Sequence, residues 1–150
     1  MAKVNLKIKN YDAIRMAFAR SPERMAKELN TAIAKTILKV ESAAKREAPV
    51  NKQSGGGNLR QSIKSRMTGQ AKGIVEVGAE YAVYVHEGTR PHMIRASNKK
   101  ALANRRTGQF FGRTVNHPGT AANPFLQRAV DVAQKEVDSY FIKAVENVFK

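Results

Sequence analysis

Two long amphipathic segments limit the fold of this 150-residue chain more than any other feature. In residues 22–48 and 124–148, apolar side chains recur every three or four positions, which is typical of a helix with one buried face. Each segment opens with a proline behind a capping residue, a common start for a helix. These pairs are Ser21-Pro22 and Asn123-Pro124. The second helix is therefore expected to pack against the first or against a sheet.

The chain between the two helices begins with the patterns of short strands. Residues 59–67 and 73–78 are predicted to form a hairpin. The next segment, 81–86, fits either a third strand or a helical turn, because its tyrosines and valines satisfy both spacings. Residues 59–87 are therefore assigned to a hairpin followed by a third strand or turn.

Residues 88–122 are rich in Arg, Lys, Gly, Asn and Thr. Such a length without secondary structure is uncommon in a compact domain, so this basic loop is predicted to be functional and to contain short strands around 110–115. At the start of the chain, residues 1–20 are expected to form an N-terminal arm and a short helix. The sequence thus predicts a single α+β domain over residues 1–150, with two long helices packed on a small, mostly antiparallel sheet and a long basic loop.

Positive charge dominates the composition. Lys and Arg number 27 against 12 Asp and Glu, a formal net charge of +15. No acidic residue occurs between Glu87 and Asp131, so the excess is concentrated in the middle of the chain. Such a field attracts polyanions and acidic protein surfaces, although a merely solvated surface would have the same composition. A sequence-specific DNA reader is not expected, because no recognition-helix, zinc-finger or RNP-type pattern is present.

The usual patterns of enzyme and cofactor sites are missing from the sequence. There is no cysteine, which excludes disulfides and thiolate chemistry and indicates a cytoplasm-like setting or indifference to redox state. The glycine run 55–57 is not followed by the Gly-Lys-Ser/Thr of a phosphate loop. His86 and His92 lie six residues apart, whereas the zincin pattern requires four. No run is apolar enough to span a membrane, and we expect no catalytic residue, cofactor or metal.

Several ordered segments resemble one family. The stretch Ala48-Pro49-Val50 is followed by Gly-Asn-Leu-Arg-Gln-Ser-Ile at 57–63 and by Tyr-Ala-Val-Tyr-Val-His-Glu-Gly-Thr at 81–89. Further on, His-Pro-Gly-Thr at 117–120 precedes Asn-Pro-Phe-Leu at 123–126. Together these segments resemble the tail-completion or head–tail joining (neck) family of minor virion proteins from long-tailed bacteriophages and prophages.

This resemblance implies a non-enzymatic structural role in the virion. Copies are expected to assemble as a six-fold ring at the junction of neck and tail tube, while the isolated protein can be monomeric. The implied partners are other neck and tail proteins and further copies of the chain, with non-specific contact to DNA and none to a membrane. The protein would be made in the host cytoplasm and end in the virion.

Contacts with subunits or partners are expected at the aromatic and basic residues of the middle of the chain. These candidates are Tyr81, Tyr84, Arg90, Arg95, Lys99, Lys100, Arg105, Arg106, Phe110, Phe111 and Arg113. The same residues leave a second interpretation open, in which the protein is a basic nucleic-acid-binding module.

Overall fold

The computed structural model describes residues 9, 11–50, 56–98, 100–104 and 107–150. The predicted N-terminal arm therefore falls largely outside the described residues. The chain divides into two compact units, which are described separately. The helical unit combines Met1–Ala82 with Pro124–Lys150, and the ribbon unit is Val83–Asn123.

Five helices and six strands make up the described structure, in agreement with the predicted α+β class. The helices are α1 (Tyr11–Arg20), α2 (Pro22–Glu47), α3 (Asn58–Ser62), α4 (Ala82–Glu87) and α5 (Phe125–Phe149). The strands are β1 (Ile63–Gly69), β2 (Lys72–Val77), β3 (His92–Arg95), β4 (Leu102–Ala103), β5 (Phe110–Gly112) and β6 (Thr114–His117). They pair as three antiparallel two-stranded sheets, β1 with β2, β3 with β6 and β4 with β5. Within the described residues, no helix is long and apolar enough to cross a membrane.

The long helices α2 and α5 run antiparallel in the helical unit. Among the described residues, three pairs of polar side chains join them, namely Glu47 Oε2 with Arg128 Nε at 2.8 Å, Glu136 Oε1 with Lys39 Nζ at 2.5 Å, and Glu28 Oε2 with Asn147 Nδ2 at 2.9 Å. As the residue number falls along α2, it rises along α5, which fixes the relative direction of the two helices.

Small residues let these helices pack closely. Ala32 and Ala144 are almost fully buried beside Met25, Val137 and Phe141 in the main apolar cluster. Phe and Met fill the larger gaps in such a cluster, while alanine lets the helix backbones approach. Truncating a buried phenylalanine to alanine typically costs about 3–5 kcal/mol, so this cluster is a major source of stability.

The hairpin of β1 and β2 lies along α2. A Cβ added to Gly73 would lie only 2.9 Å from side-chain atoms of Ile37, so the backbone of β2 approaches the helix closely at this point. At the β1–β2 turn, Ala71 N donates to Asn30 Oδ1 at 2.6 Å. A second apolar cluster places Val75 of β2 against Val40 of α2. The hairpin is thus held to the helix by both polar and apolar contacts.

Glu41 of α2 supplies a further link to the hairpin. Its Oε2 accepts from Ser65 N at 2.8 Å and from the Ser65 hydroxyl, and its Oε1 lies 2.5 Å from Lys45 Nζ. The Lys45 ammonium first, and then the Ser65 hydroxyl, hold the pKa of Glu41 below its usual value, because both hydrogen-bond the ionised carboxylate. The ionised form of Glu41 therefore favours the folded hairpin.

Three local predictions need correction. The strand expected over 59–67 starts at Ile63, because residues 58–62 form the helical turn α3. Ser21 occupies the N-cap of α2 but makes no side-chain capping bond, and its carbonyl instead accepts from Met25 N at 3.0 Å. In α5 the N-cap is Pro124, one residue after the predicted Asn123.

Candidate interaction surface

In the ribbon unit, the two ends of the segment predicted as a basic loop pair as an antiparallel ladder. An isolated bridge pairs Thr89 with Thr120, and β3 continues the same register against β6 from His92–His117 to Arg95–Thr114. Ala96 N then donates to the carbonyl of Arg113 at 2.9 Å. The described residues of this segment therefore form a ribbon, and we call residues 88–98, 100–104 and 107–120 the basic ribbon.

Gly88 and Gly119 lie at the end of the basic ribbon where its two strands first pair, which we call its base. We call these two residues the glycine lock. Gly88 and Gly119 have φ values of +75° and +88°, and each faces the backbone of the opposite strand. A Cβ on Gly88 would lie 2.4 Å from Thr120 O, and one on Gly119 would lie 2.3 Å from Thr89 O. Only glycine combines this φ with so close an approach. The Thr89–Thr120 pair closes with two reciprocal hydrogen bonds of 2.9 and 3.0 Å.

A cross-strand histidine pair lies next to this lock. The ring centroids of His92 and His117 are 5.1 Å apart and their planes are inclined by 30°. His117 Nδ1 accepts from Gly119 N at 3.1 Å, and His92 Nδ1 lies 2.9 Å from the carbonyl of Arg90. The described part of the chain contains no group of three His, Asp or Glu side chains that could hold a metal ion. Both imidazole rings are thus hydrogen-bonded to the ribbon backbone.

Farther from its base, the basic ribbon carries exposed apolar side chains. The side chain of Phe110 is 76% exposed and that of Met93 53%, and Phe111 and Ile94 are also exposed. Phe111 is the extra residue of a β-bulge, since Leu102 pairs with Gly112 and Ala103 with Phe110. A two-stranded ribbon without a covered apolar face is marginally stable in water. These side chains are therefore suited to contact another molecule.

Four described cations of the ribbon have no acidic partner among the described residues. Arg90, Arg95, Lys100 and Arg113 are exposed, and none of them forms an ion pair with a described carboxylate. In the helical unit, by contrast, five cations pair with carboxylates. These pairs are Lys9–Asp138, Lys39–Glu136, Lys45–Glu41, Arg66–Glu76 and Arg128–Glu47. The positive charge of the ribbon is available to an external anion.

The predicted contact residues lie in several different parts of the structure. Tyr84 is 61% exposed on α4, and Tyr81, just before that helix, belongs to the helical unit. Lys100 and Arg113 line one shallow polar depression. Phe110 and Phe111 lie together on β5. Three other predicted residues, Lys99, Arg105 and Arg106, lie outside the described residues.

Sequence reasoning missed other residues of this surface. Ser97 and Asn98 line the same depression as Lys100 and Arg113, and Met93 is exposed beside them in the chain. The histidine pair was also missed. A detectable signal was the equal spacing of two pairs: Thr89 lies three residues before His92, and Thr120 lies three residues after His117, which suits an antiparallel register.

Comparison with known proteins assigns the chain to a family. A family model described as "Bacteriophage HK97-gp10, putative tail-component" matches residues 12–88, which is just over half of the chain. No curated protein and no solved structure matches the chain significantly. The match extends from α1 to the end of α4 and stops at the first glycine of the basic ribbon. The resemblance to bacteriophage tail proteins is thereby confirmed, and the chain belongs to the HK97-gp10-like family of bacteriophage tail components.

Proposed function

We propose that this protein is a non-enzymatic structural component of the virion that acts in tail completion and head–tail joining. Copies form a ring at the neck and contact neighbouring neck and tail proteins through the basic ribbon. The observation that carries the proposal is the exposure of Phe110 and Met93 on a two-stranded ribbon that leaves its apolar side chains uncovered. Membership of a tail-component family supports the same conclusion.

The physical argument is that the basic ribbon gains stability from a partner. Protein–protein interface cores are enriched in aromatic residues and methionine and depleted of charge. Phe110, Phe111 and Met93 provide such side chains, and the edges of β3 and β4 provide unpaired backbone groups that a partner strand can use. A neighbouring subunit or neck protein would therefore cover this apolar surface on assembly.

Complementation of phage that lack the gene tests the proposal. Particles made with the double variant Met93→Ser, Phe110→Ser should accumulate as separate heads and tails in electron micrographs. The matched control is Leu38→Ser, because Leu38 is 60% exposed on α2 and its replacement removes a similar apolar side chain. Normal joining by the ribbon variant, or equal defects in both variants, would refute a role for the ribbon in assembly.

The position and number of copies are tested in the particle itself. A reconstruction of the joined virion should place copies of the chain around the tail axis at the neck. Copies located at the distal tip of the tail, or single copies without symmetry, would overturn the proposed ring. This test is independent of the ribbon variants, because it uses the unmodified protein.

A further inference from the structure

We infer that the basic ribbon holds a phosphate-binding site for the backbone of double-stranded DNA, formed by Ser97, Asn98, Lys100 and Arg113. These four residues line a shallow depression in the ribbon unit. The site is chemically distinct from the apolar side chains proposed to contact proteins, and it does not depend on the proposed role in head–tail joining.

The backbone of the ribbon brings the site together. Ala96 N donates to Arg113 O at 2.9 Å, which fixes the chain after β3 beside the start of β6. Ser97 and Asn98 follow directly on one strand, and Arg113 precedes β6 on the other. Residues far apart in the sequence thus line one depression, and the ladder that begins at the glycine lock sets their register.

The donor chemistry of the depression fits a phosphate. An ammonium, a guanidinium, a hydroxyl and an amide are the side-chain groups that most often contact DNA phosphates. No described carboxylate lines the depression, and neither Lys100 nor Arg113 forms an ion pair with a described acidic side chain. An anion bound here would therefore meet two unpaired cations and no like charge.

Nucleic acid fits this site better than an acidic protein surface does. The core of a protein–protein interface is apolar and depleted of charge, whereas protein–DNA interfaces are polar and strongly positive. None of the four lining residues is apolar. Polar and basic residues without a base-reading element bind the backbone without sequence preference, so binding should depend steeply on salt.

Fluorescence anisotropy with a short labelled DNA duplex of mixed sequence tests the inference in the full chain. Each phosphate contact contributes about 0.9 to the slope of log affinity against log salt concentration, so Lys100→Ala with Arg113→Ala should reduce the slope by about 1.8. A fourfold rise in salt should therefore weaken wild-type binding about 12-fold more than it weakens binding by the variant. The matched control is Lys135→Ala with Lys143→Ala, which removes two exposed cations from α5 and should change the slope much less.

Each other outcome overturns the inference. The site is refuted if the wild-type chain fails to bind the duplex at low salt. It is also refuted if the slope of log affinity against log salt concentration falls by the same amount in both double variants. Displacement of the duplex by polyglutamate at equal charge concentration would identify an acidic polypeptide as the ligand instead. Displacement of the duplex by inorganic phosphate at the same phosphate concentration would show that the site binds a single free anion and not the DNA backbone. Circular dichroism of both variants confirms that the fold is retained.

Discussion

The glycine lock at the base of the basic ribbon yields a sharp prediction. Replacing Gly119 with alanine places a Cβ 2.3 Å from Thr89 O, at a residue whose φ is +88°. Because the atom in the way belongs to the backbone, the clash is relieved only by opening the ladder at the Thr89–Thr120 pair. The substitution therefore combines a conformational cost with the loss of two hydrogen bonds.

The magnitude follows from these two parts. Placing alanine in the left-handed region costs about 1–2 kcal/mol. Two backbone hydrogen bonds with a net value of about 0.5–1.5 kcal/mol each add about 1–3 kcal/mol. Gly112→Ala is a matched control, because Gly112 has a φ of +86° but no atom lies within 4 Å of an added Cβ. The control should show the conformational cost alone.

Hydrogen exchange measured by NMR separates the two substitutions. The amide protons of Thr89 and Thr120 should exchange about 5- to 150-fold faster in Gly119→Ala than in Gly112→Ala, since every 1.4 kcal/mol changes the opening equilibrium tenfold. Equal exchange rates in the two variants would show that the ladder does not close against Gly119. A thermal melt of each variant checks that global unfolding does not account for the exchange.

Three further predictions concern the helical unit. Phe125→Asp should lower the free energy of unfolding by at least about 3 kcal/mol in a urea titration, because the fully buried ring is replaced by an unpaired charge. The control Gln127→Asp lies on the exposed face and loses only an exposed bond to Asp131, so it should cost less than about 1 kcal/mol. The pKa of Glu41 is lowered in the folded protein, so its contribution to stability is present above the unfolded value near 4.5 and is lost as the pH falls through the folded value. Glu41→Gln should thus flatten the loss of stability in acid melts, and an unchanged pH profile would contradict this. A double-mutant cycle of Glu47 and Arg128 should give a coupling energy of only about 0.2–1 kcal/mol, because both side chains are partly exposed.

The two long helices could be predicted from the sequence because their signal repeats over many turns. Buried residues recur on every turn of α5 and on most turns of α2, and a proline marks each start. The observed bounds, Pro22–Glu47 and Phe125–Phe149, lie within a residue of the predicted ones. The capping bonds could not be predicted, since they depend on side-chain orientation rather than on the residue type alone.

The basic ribbon could be predicted only in part. Short strands were expected near residues 110–115, and β5 and β6 occupy this region. Strands of two to four residues are too short for a period-two pattern to stand out against polar sequence. Their register depends on how closely the backbones approach at Gly88 and Gly119. That approach is visible only in the folded structure. The cations could be found in the sequence, but their assembly with Ser97 and Asn98 could not.

The separation of apolar and cationic side chains on the basic ribbon bears on how many partners it serves. If both sets belonged to one protein interface, Lys100 and Arg113 would need acidic counterparts, and desolvating those pairs would offset much of the gain from burying Phe110. A depression lined by polar and basic residues avoids this cost, because a phosphate backbone remains partly hydrated while it releases counterions. Two ligands of different chemistry therefore explain the surface better than one. On this reasoning, loss of DNA binding and loss of head–tail joining are separable effects of substitutions within the same ribbon.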